Sequence, residues 1–315
     1  MGDITAIRPT FLVGVPRIFE KIFNASQQKA HAASSTKGRI FERAAKVAIE
    51  YGRATHDSGP SPWLKVQHAL FDRLVYSKIR TAMGGNLRYA ITGGASLGER
   101  LGFFFAGMGL TVMEGYGLTE TTASGTFNRA ENPRIGSVGQ PMPGTAVRIA
   151  DDGEIWLRGP HVMAGYHNNP TATDDAITAD GWFQTGDLGD VDADGFLHIT
   201  GRKKEIIVTA GGKNVAPAVL EDRMQAHNLI GPTMVVGDGQ PFIAAIITLD
   251  PDALAAWATS HGKASTSVTD LHDDPDLVAE IQAAVDDANA AVSRAESIRT
   301  WRLLDAEFTE ETGYL

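Results

Sequence analysis

The stretch from Leu87 to Glu114 constrains the fold more than any other part of the chain. Leu87 to Thr92 reads as a strand, Gly93-Gly94 as a turn, Leu97 to Met108 as a helix and Leu110 to Glu114 as a second strand. Strand, crossover helix and strand make a βαβ unit, whose two strands run parallel. A parallel sheet gathers its ligands at the carboxyl ends of its strands. The expectation is therefore an α/β fold, with chemistry to be sought just after Thr92 and just after Glu114.

On either side of this unit the texture differs. Thr10 to Val15, enclosed by Pro9 and Pro16, reads as a buried strand, and a helix starts at Arg17. From Ser35 to Thr55 and from Trp63 to Met83 apolar residues recur at helical spacing, giving two amphipathic helices split by the breaker cluster Asp57 to Pro62. From Ile135 to Thr200 short β-branched runs alternate with Pro143-Gly144, Asp152-Gly153, Gly159-Pro160 and Asp194-Gly195, which reads as hairpins of a small antiparallel or barrel-like subdomain. Beyond Gly201-Arg202 come a strand at Glu205 to Thr209, a helix at Pro217 to Ala226, strands at Thr233 to Gly237 and Phe242 to Leu249, helices around Asp252 to Thr259 and Asp276 to Ala295, and a strand at Arg299 to Leu304. A domain boundary is placed at Arg202 to Lys204, giving domains 1–201 and 202–315.

Composition narrows the classes of function. With no cysteine, disulfide frameworks, thiolate metal sites and cysteine nucleophiles are excluded. The net charge of −10, with acids concentrated at Asp270 to Glu280, Asp286 and Asp287, has the wrong sign for a nucleic-acid binder. The first residues lack the pattern of a signal peptide, and the most apolar stretch, Leu101 to Met113, is shorter than the ~18–20 residues of a membrane span. A soluble, cytoplasmic protein is expected.

Four segments carry residue types suited to nucleotide chemistry. Thr92-Gly93-Gly94-Ala95 ends a strand, and its glycines let backbone approach a ligand plane; alone, it is equally a tight strand-to-helix turn. Gly115 to Glu120 (GYGLTE), taken as a loop just past a strand end, offers an aromatic face, a hydroxyl and a hard carboxylate, for a purine, a phosphate oxygen and Mg²⁺ respectively. Thr185 to Leu188 (TGDL) presents Asp187, which can accept from two ribose hydroxyls or, as a hairpin acid, from its own backbone. Gly201 to Pro217 (GRKKEIIVTAGGKNVAP) adds the planar donor fork of Arg202 and the pliable Gly211-Gly212, although a basic run before a strand is also an ordinary solvated surface.

In their order and context the four segments resemble the adenylate-forming superfamily of acyl-CoA synthetases, luciferases and peptide-synthetase adenylation domains. RPTFLVGVPRIFEK (Arg8 to Lys21), the paired helices after it and the tail from Asp273 to Leu315 look like bacterial long-chain fatty acyl-CoA synthetases. The resemblance implies the C-terminal half of the large adenylate-forming domain, with a helical insert at about 24–86 and a β subdomain at about 135–200, followed by a small α+β domain. It implies a fatty acid–CoA ligase that uses ATP and Mg²⁺, forms acyl-AMP, and passes the acyl group to CoA. Carried over by motif, Gly93, Gly94 and Ala95 line the adenine and acyl-carbonyl site, with Tyr116 against the adenine face and Gly117 beside it also counted among the cofactor-binding residues. Thr119 contacts the α-phosphate, Glu120 holds Mg²⁺, and Asp187 and Arg202 grip the ribose. Lys204 falls at the hinge of the small domain, and Gly211-Gly212 at the pantetheine channel. The implied partners are a long-chain fatty acid and CoA, with peripheral membrane contact for substrate uptake and no nucleic acid.

Two departures from the family pattern accompany the resemblance. No GxxxxGK[ST] or equivalent phosphate loop occurs between Met1 and Glu114, and the chain stops at Leu315, short of the family's terminal adenylation lysine; Lys213 sits in a different motif. A chain truncated at both ends, unable to adenylate alone, is expected. The alternatives are an acyl-AMP ligase that delivers to a carrier protein and a non-catalytic nucleotide-binding remnant.

Overall fold

A computed structural model of the protein describes residues 2–123, 125–306, 308 and 312–313. Tyr314 and Leu315, the end of the tail likened to long-chain enzymes, lie outside the described residues. The chain divides into two compact units, Met1–Ile199 and Thr200–Leu315.

The first unit opens with a short helix, α1 (Gly2–Ile7), then β1 (Phe11–Gly14), α2 (Pro16–Ala33), α3 (Ser35–His56), α4 (Pro62–Phe71) and α5 (Ser77–Ala82). Local chemistry sets these boundaries. Pro16 and Pro62 occupy first helical turns, where a missing N–H costs nothing. The hydroxyls of Ser34 and Ser61 accept from the backbone N–H of Lys37 and Leu64, each at 3.2 Å. The second amphipathic segment is less regular than its pattern suggested, because one π turn, Asp72–Tyr76, joins α4 to α5. That turn brings Tyr76 inward, where its hydroxyl donates to the Ala44 carbonyl at 2.7 Å.

Next come β2 (Tyr89–Thr92), α6 (Glu99–Gly107) and β3 (Thr111–Tyr116), the βαβ unit. Strands β1, β2 and β3 are parallel, with Thr92 opposite both Gly14 and Glu114. The core over this sheet is aromatic: Phe23 meets Phe104 edge-on at 4.8 Å and Phe19 meets Phe105 at 5.5 Å. Helix α6 crosses α3 closely because Gly52 and Gly107 face its partner's backbone; a Cβ on Gly107 would collide with the Ala48 carbonyl.

Two short strands extend the same sheet, β4 (Thr126–Phe127) antiparallel to β3 and β5 (Gln140–Pro141) antiparallel to β4. This corrects the expectation that a separate β subdomain begins near Ile135. Gly139, at φ +85°, lies so close beneath the Phe127 backbone that no side chain fits there, and the turn folds β5 back onto β4. The separate sheet starts later, with β6 (Ala146–Ile149), β7 (Glu154–Arg158), β8 (Phe183–Val191) and β9 (Leu197–Arg202) in that spatial order, helix α7 (Pro170–Ala176) interrupting β7 and β8.

The second unit has a small hairpin, β10 (Ile207–Val208) with β11 (Asn214–Val215), then α8 (Pro217–Gln225). A three-stranded sheet follows, in which β12 (Ile230–Val236) is antiparallel to β13 (Ile243–Leu249) and β14 (Ile298–Leu303) is parallel to it. Helices α9 (Pro251–Ser260), α10 (Val268–Leu271) and α11 (Pro275–Asn289) lie between β13 and β14 in sequence. The core gathers Leu220 and Met224 of α8, Ile243 and Ile247 of β13, and Leu277 and Ile281 of α11. The helix expected to reach Ala295 stops at Asn289, whose amide donates to the Ile298 carbonyl and whose oxygen accepts from the Ile298 N–H, turning the chain into β14.

Candidate active site

The first unit assembles its polar residues at the carboxyl ends of β2 and β3. Gly93 follows β2 immediately, and a Cβ there would stand 3.1 Å from the Gly115 carbonyl, so the two strand ends are nearly bare backbone against each other. Gly94 has φ +83° with open space where a side chain would be, and Ala95 is exposed. The buried Glu114 carboxylate accepts from the Leu97 N–H at 3.1 Å, which holds the returning Gly93–Leu97 loop against β3.

Gly115 and Tyr116 are the last two residues of β3 rather than part of a loop beyond it, because they pair with Phe127 and Thr126 of β4. That pairing buries Tyr116, whose hydroxyl donates to Asp187 Oδ2 at 2.6 Å, joining segments 71 residues apart. Asp187 itself lies inside β8, not at a hairpin tip. The β7–β8 register breaks between Glu154 and Trp156, with Gly186 at φ +74° opposite the break. Such a bulge re-aims the side chain next to it. It is braced by three bonds: Thr185 Oγ1 donates to the Ile155 carbonyl at 2.7 Å, the Asp187 N–H donates to Thr185 Oγ1 at 3.1 Å, and the Gly186 N–H donates to Glu154 Oε1 at 2.8 Å.

Beyond Gly117, Thr119 to Thr121 form one 3₁₀ turn. Thr122 and Ala123 then take φ +53° and +81°, a conformation costly for residues with side chains. Bonds to a second segment hold this turn. The Met163 N–H donates to the Glu120 carbonyl at 2.7 Å, Thr122 Oγ1 donates to the His161 carbonyl at 2.9 Å, and the Tyr166 hydroxyl donates to Glu120 Oε1 at 2.9 Å. Desolvation, and then the bond to Glu120 and its negative charge, push the Tyr166 phenol above the usual range, so it stays a donor. Thr119 is left exposed.

Glu114, Glu154 and Tyr166 went unnoticed in the sequence. A hydrophobic-strand acid at the end of β3 and the Gly165-Tyr166 pair were the only available signals, and neither names a partner. Among the described residues no group of three or more His, Asp or Glu could hold a metal ion.

In the second unit Arg202, Lys203 and Lys204 are exposed, and the Arg202 carbonyl accepts from the N–H groups of Glu205 and Ile206, so Lys204 sits in a turn. Gly211 and Gly212 form the exposed tip of the β10–β11 hairpin, Gly212 with φ +75° and open space around it. Lys213 is engaged with Glu296 at 3.2 Å.

A family model described as AMP-binding enzyme matches residues 1–167, and one described as AMP-binding enzyme C-terminal domain matches residues 204–312. The chain belongs to the AMP-binding enzyme family. Among curated relatives, the long-chain-fatty-acid–CoA ligase FadD15 of Mycobacterium bovis is 56% identical over 313 residues, covering 99% of this chain and 52% of that protein. The chain thus spans about half the length of the curated relatives it matches. Among solved structures, the adenylation domain of a carboxylate reductase from Mycobacterium chelonae superposes with TM-score 0.67 at 21% identity, over 99% of this chain and 44% of that one. The anthranilate CoA ligase AuaEII in complex with anthranoyl-AMP gives 0.62 at 18%, over 96% and 47%. These likenesses establish the adenylation-domain fold for this chain.

Proposed function

We propose that this AMP-binding chain carries the adenylate-handling part of a long-chain fatty acid–CoA ligase. The observation that carries the reading is the Tyr116–Asp187 bond, which draws GYGLTE and TGDL into one place at the carboxyl ends of parallel strands. The 56% identity to a protein named long-chain-fatty-acid–CoA ligase supports the same substrate class.

In this reading the fatty acid carboxylate attacks the α-phosphorus of ATP, the bond to the β-phosphate oxygen breaks, and pyrophosphate leaves. The thiol of CoA then gives up its proton and attacks the acyl carbonyl, displacing AMP. The chain's residues bind and orient. Gly93, Gly94 and Ala95 supply a bare backbone platform for adenine and the acyl carbonyl, fitted by the open space beside Gly94. Tyr116 faces adenine while its hydroxyl fixes the Asp187 carboxylate, whose remaining lone pairs accept from the ribose together with donation by Arg202. Thr119 donates to the α-phosphate. Glu120, held in place by Tyr166, contributes one oxygen to Mg²⁺, which when bound offsets charge developing on the phosphoryl oxygens. Lys204 in its turn is the pivot of the second unit, and the Gly211-Gly212 tip borders the path of the pantetheine arm. The division into an AMP-binding part and a small α+β part with a hinge at Lys204 belongs to the same proposal.

Titration calorimetry of the chain with AMP and with a non-hydrolysable acyl-sulfamoyl adenosine tests it. Saturable binding is expected, weakened at least about tenfold in Asp187→Asn, where an acceptor for a ribose hydroxyl becomes partly a donor. A folded chain that binds neither ligand overturns the reading.

A further inference from the structure

The segment from His161 to Tyr166 is fastened at three points to the Gly115–Glu120 motif and the turn after it. The Met163 N–H donates to the Glu120 carbonyl at 2.7 Å, and Thr122 Oγ1 donates to the His161 carbonyl at 2.9 Å. These two bonds hold backbone, and with it the costly turn at Thr122 and Ala123. The third bond is of another kind. It runs from the Tyr166 hydroxyl to Glu120 Oε1, at 2.9 Å across 46 residues, and engages a side chain that the fold does not need to satisfy, because Glu120 is only half-buried and so open to water.

Tyr166 is itself fixed from behind. Its N–H donates to Thr173 Oγ1 at 2.9 Å, and that hydroxyl donates to the Asn169 carbonyl at 2.9 Å, at the start of α7. Gly165, at φ +153°, lies so close to Thr173 that a Cβ would stand 2.8 Å from the threonine Cγ2, so the chain reaches Tyr166 by a path open to glycine alone. The tyrosine is 38% exposed, so core packing does not place it. Its backbone anchor at one end and the Glu120 carboxylate at the other do.

The consequence falls on Glu120. Its Oε1 accepts from the phenol, and among the described residues Oε2 has no hydrogen-bond or ion-pair partner. A carboxylate in that state offers a cation one oxygen. Mg²⁺ is small, holds to octahedral geometry and takes a carboxylate through one oxygen beside nucleotide phosphates, whereas the larger Ca²⁺ readily takes both oxygens of one carboxylate. We infer that Tyr166 is a positioning residue that sets the ion preference of this site: by engaging Oε1 it leaves Glu120 to coordinate through Oε2 alone, which favours Mg²⁺ over Ca²⁺ beside a nucleotide. The inference rests on the ligase reading for the place of the nucleotide and its ion, and adds to that reading the residue that discriminates between ions. A tie that only stabilised the turn would act alike on every ion; a tie that engages one carboxylate oxygen does not.

The test uses the whole chain and needs no turnover. Titration calorimetry gives the affinity for ATP in excess Mg²⁺ and in excess Ca²⁺, and the ratio of the two is the quantity read; AMP binding by the wild type, without metal, checks the ligase reading separately. The wild type should bind ATP at least about tenfold more tightly with Mg²⁺ than with Ca²⁺. Tyr166→Phe keeps the ring and removes the hydroxyl, and should lower that ratio by about three- to tenfold, chiefly by tightening binding with Ca²⁺. Thr173→Val keeps the Tyr166 hydroxyl but withdraws the acceptor of its backbone N–H, and should lower the ratio by less. A chain that binds AMP while showing equal ATP affinity with the two ions, or one whose ratio is unchanged in Tyr166→Phe, overturns the inference and leaves the ligase reading standing. A folded chain that binds neither nucleotide overturns the reading and the inference with it. Should Tyr166→Phe lose the circular dichroism of the wild type, Thr173→Val carries the comparison, and an unchanged ratio there overturns the inference.

Discussion

Asp187 is almost fully buried, yet it presents a carboxylate oxygen to Tyr116 at 2.6 Å. A charge so placed is tolerable only when surrounding donors satisfy it, and the Tyr116 hydroxyl is one of them. Glu221 shows the opposite balance. Burial pushes its carboxyl above the ordinary range, outweighing the Val235 N–H that donates to Oε1 at 2.7 Å, and the nearby Glu205 charge pushes the same way. A carboxyl raised by folding contributes stability that is fully present below its unfolded pKa and is lost as pH rises through the raised value. Glu221→Gln keeps the acceptor and removes the charge, so its stability relative to the wild type should increase as pH is raised from about 4 towards neutrality. Denaturant unfolding at several pH values checks this; a difference that is flat or shrinks with rising pH contradicts it.

Among elements, the contact of α3 with α6 is the most demanding. Glycine in a helix ordinarily costs about 0.5–1 kcal/mol relative to alanine, so Gly52 and Gly107 would be poor choices if packing did not require them. At Gly107 the obstacle to a side chain is the backbone carbonyl of Ala48, which cannot turn aside. At Gly102 it is the terminal Cγ2 of Ile135 at 2.6 Å, which can. Gly107→Ala should therefore destabilise by about 1–3 kcal/mol despite its better helix propensity, and Gly102→Ala by less. Equal effects in denaturant melts would mean that the two helices separate more easily than their packing implies. The serine caps of α3 and α4 and the first-turn prolines of α2 and α4 are local features of the sequence, whereas the π turn between α4 and α5 is not, since it answers to the burial of Tyr76 against Ala44 and not to any local preference.

At the scale of the molecule, each unit has its own core: an aromatic cluster around Phe19, Phe23, Phe104 and Phe105 in the first, and an aliphatic one around Leu220, Ile247 and Ile281 in the second. A unit with its own core has its own cooperative transition. Calorimetry should resolve two, and Ile281→Ala should lower one of them by the equivalent of about 2–5 kcal/mol while leaving the other in place. A single transition that shifts as a whole would rule out separate cores as the units of stability.

From its letters alone the chain announced an α/β unit around Gly93, two amphipathic helices divided at Asp57 to Pro62, a change of texture after Gly201 and four motifs in nucleotide-binding order. Those features depend on neighbours within a few residues: periodicity, caps and turn glycines act over one or two turns of chain, and sequence displays them directly. What needed the fold was every relation between distant segments. Tyr116 meets Asp187 across 71 residues, Glu154 braces Gly186, Tyr166 holds Glu120, and β5 joins the first sheet instead of the second. These bonds gain their strength from exclusion of water, and which groups lose water together is decided only when the sheets and loops have packed.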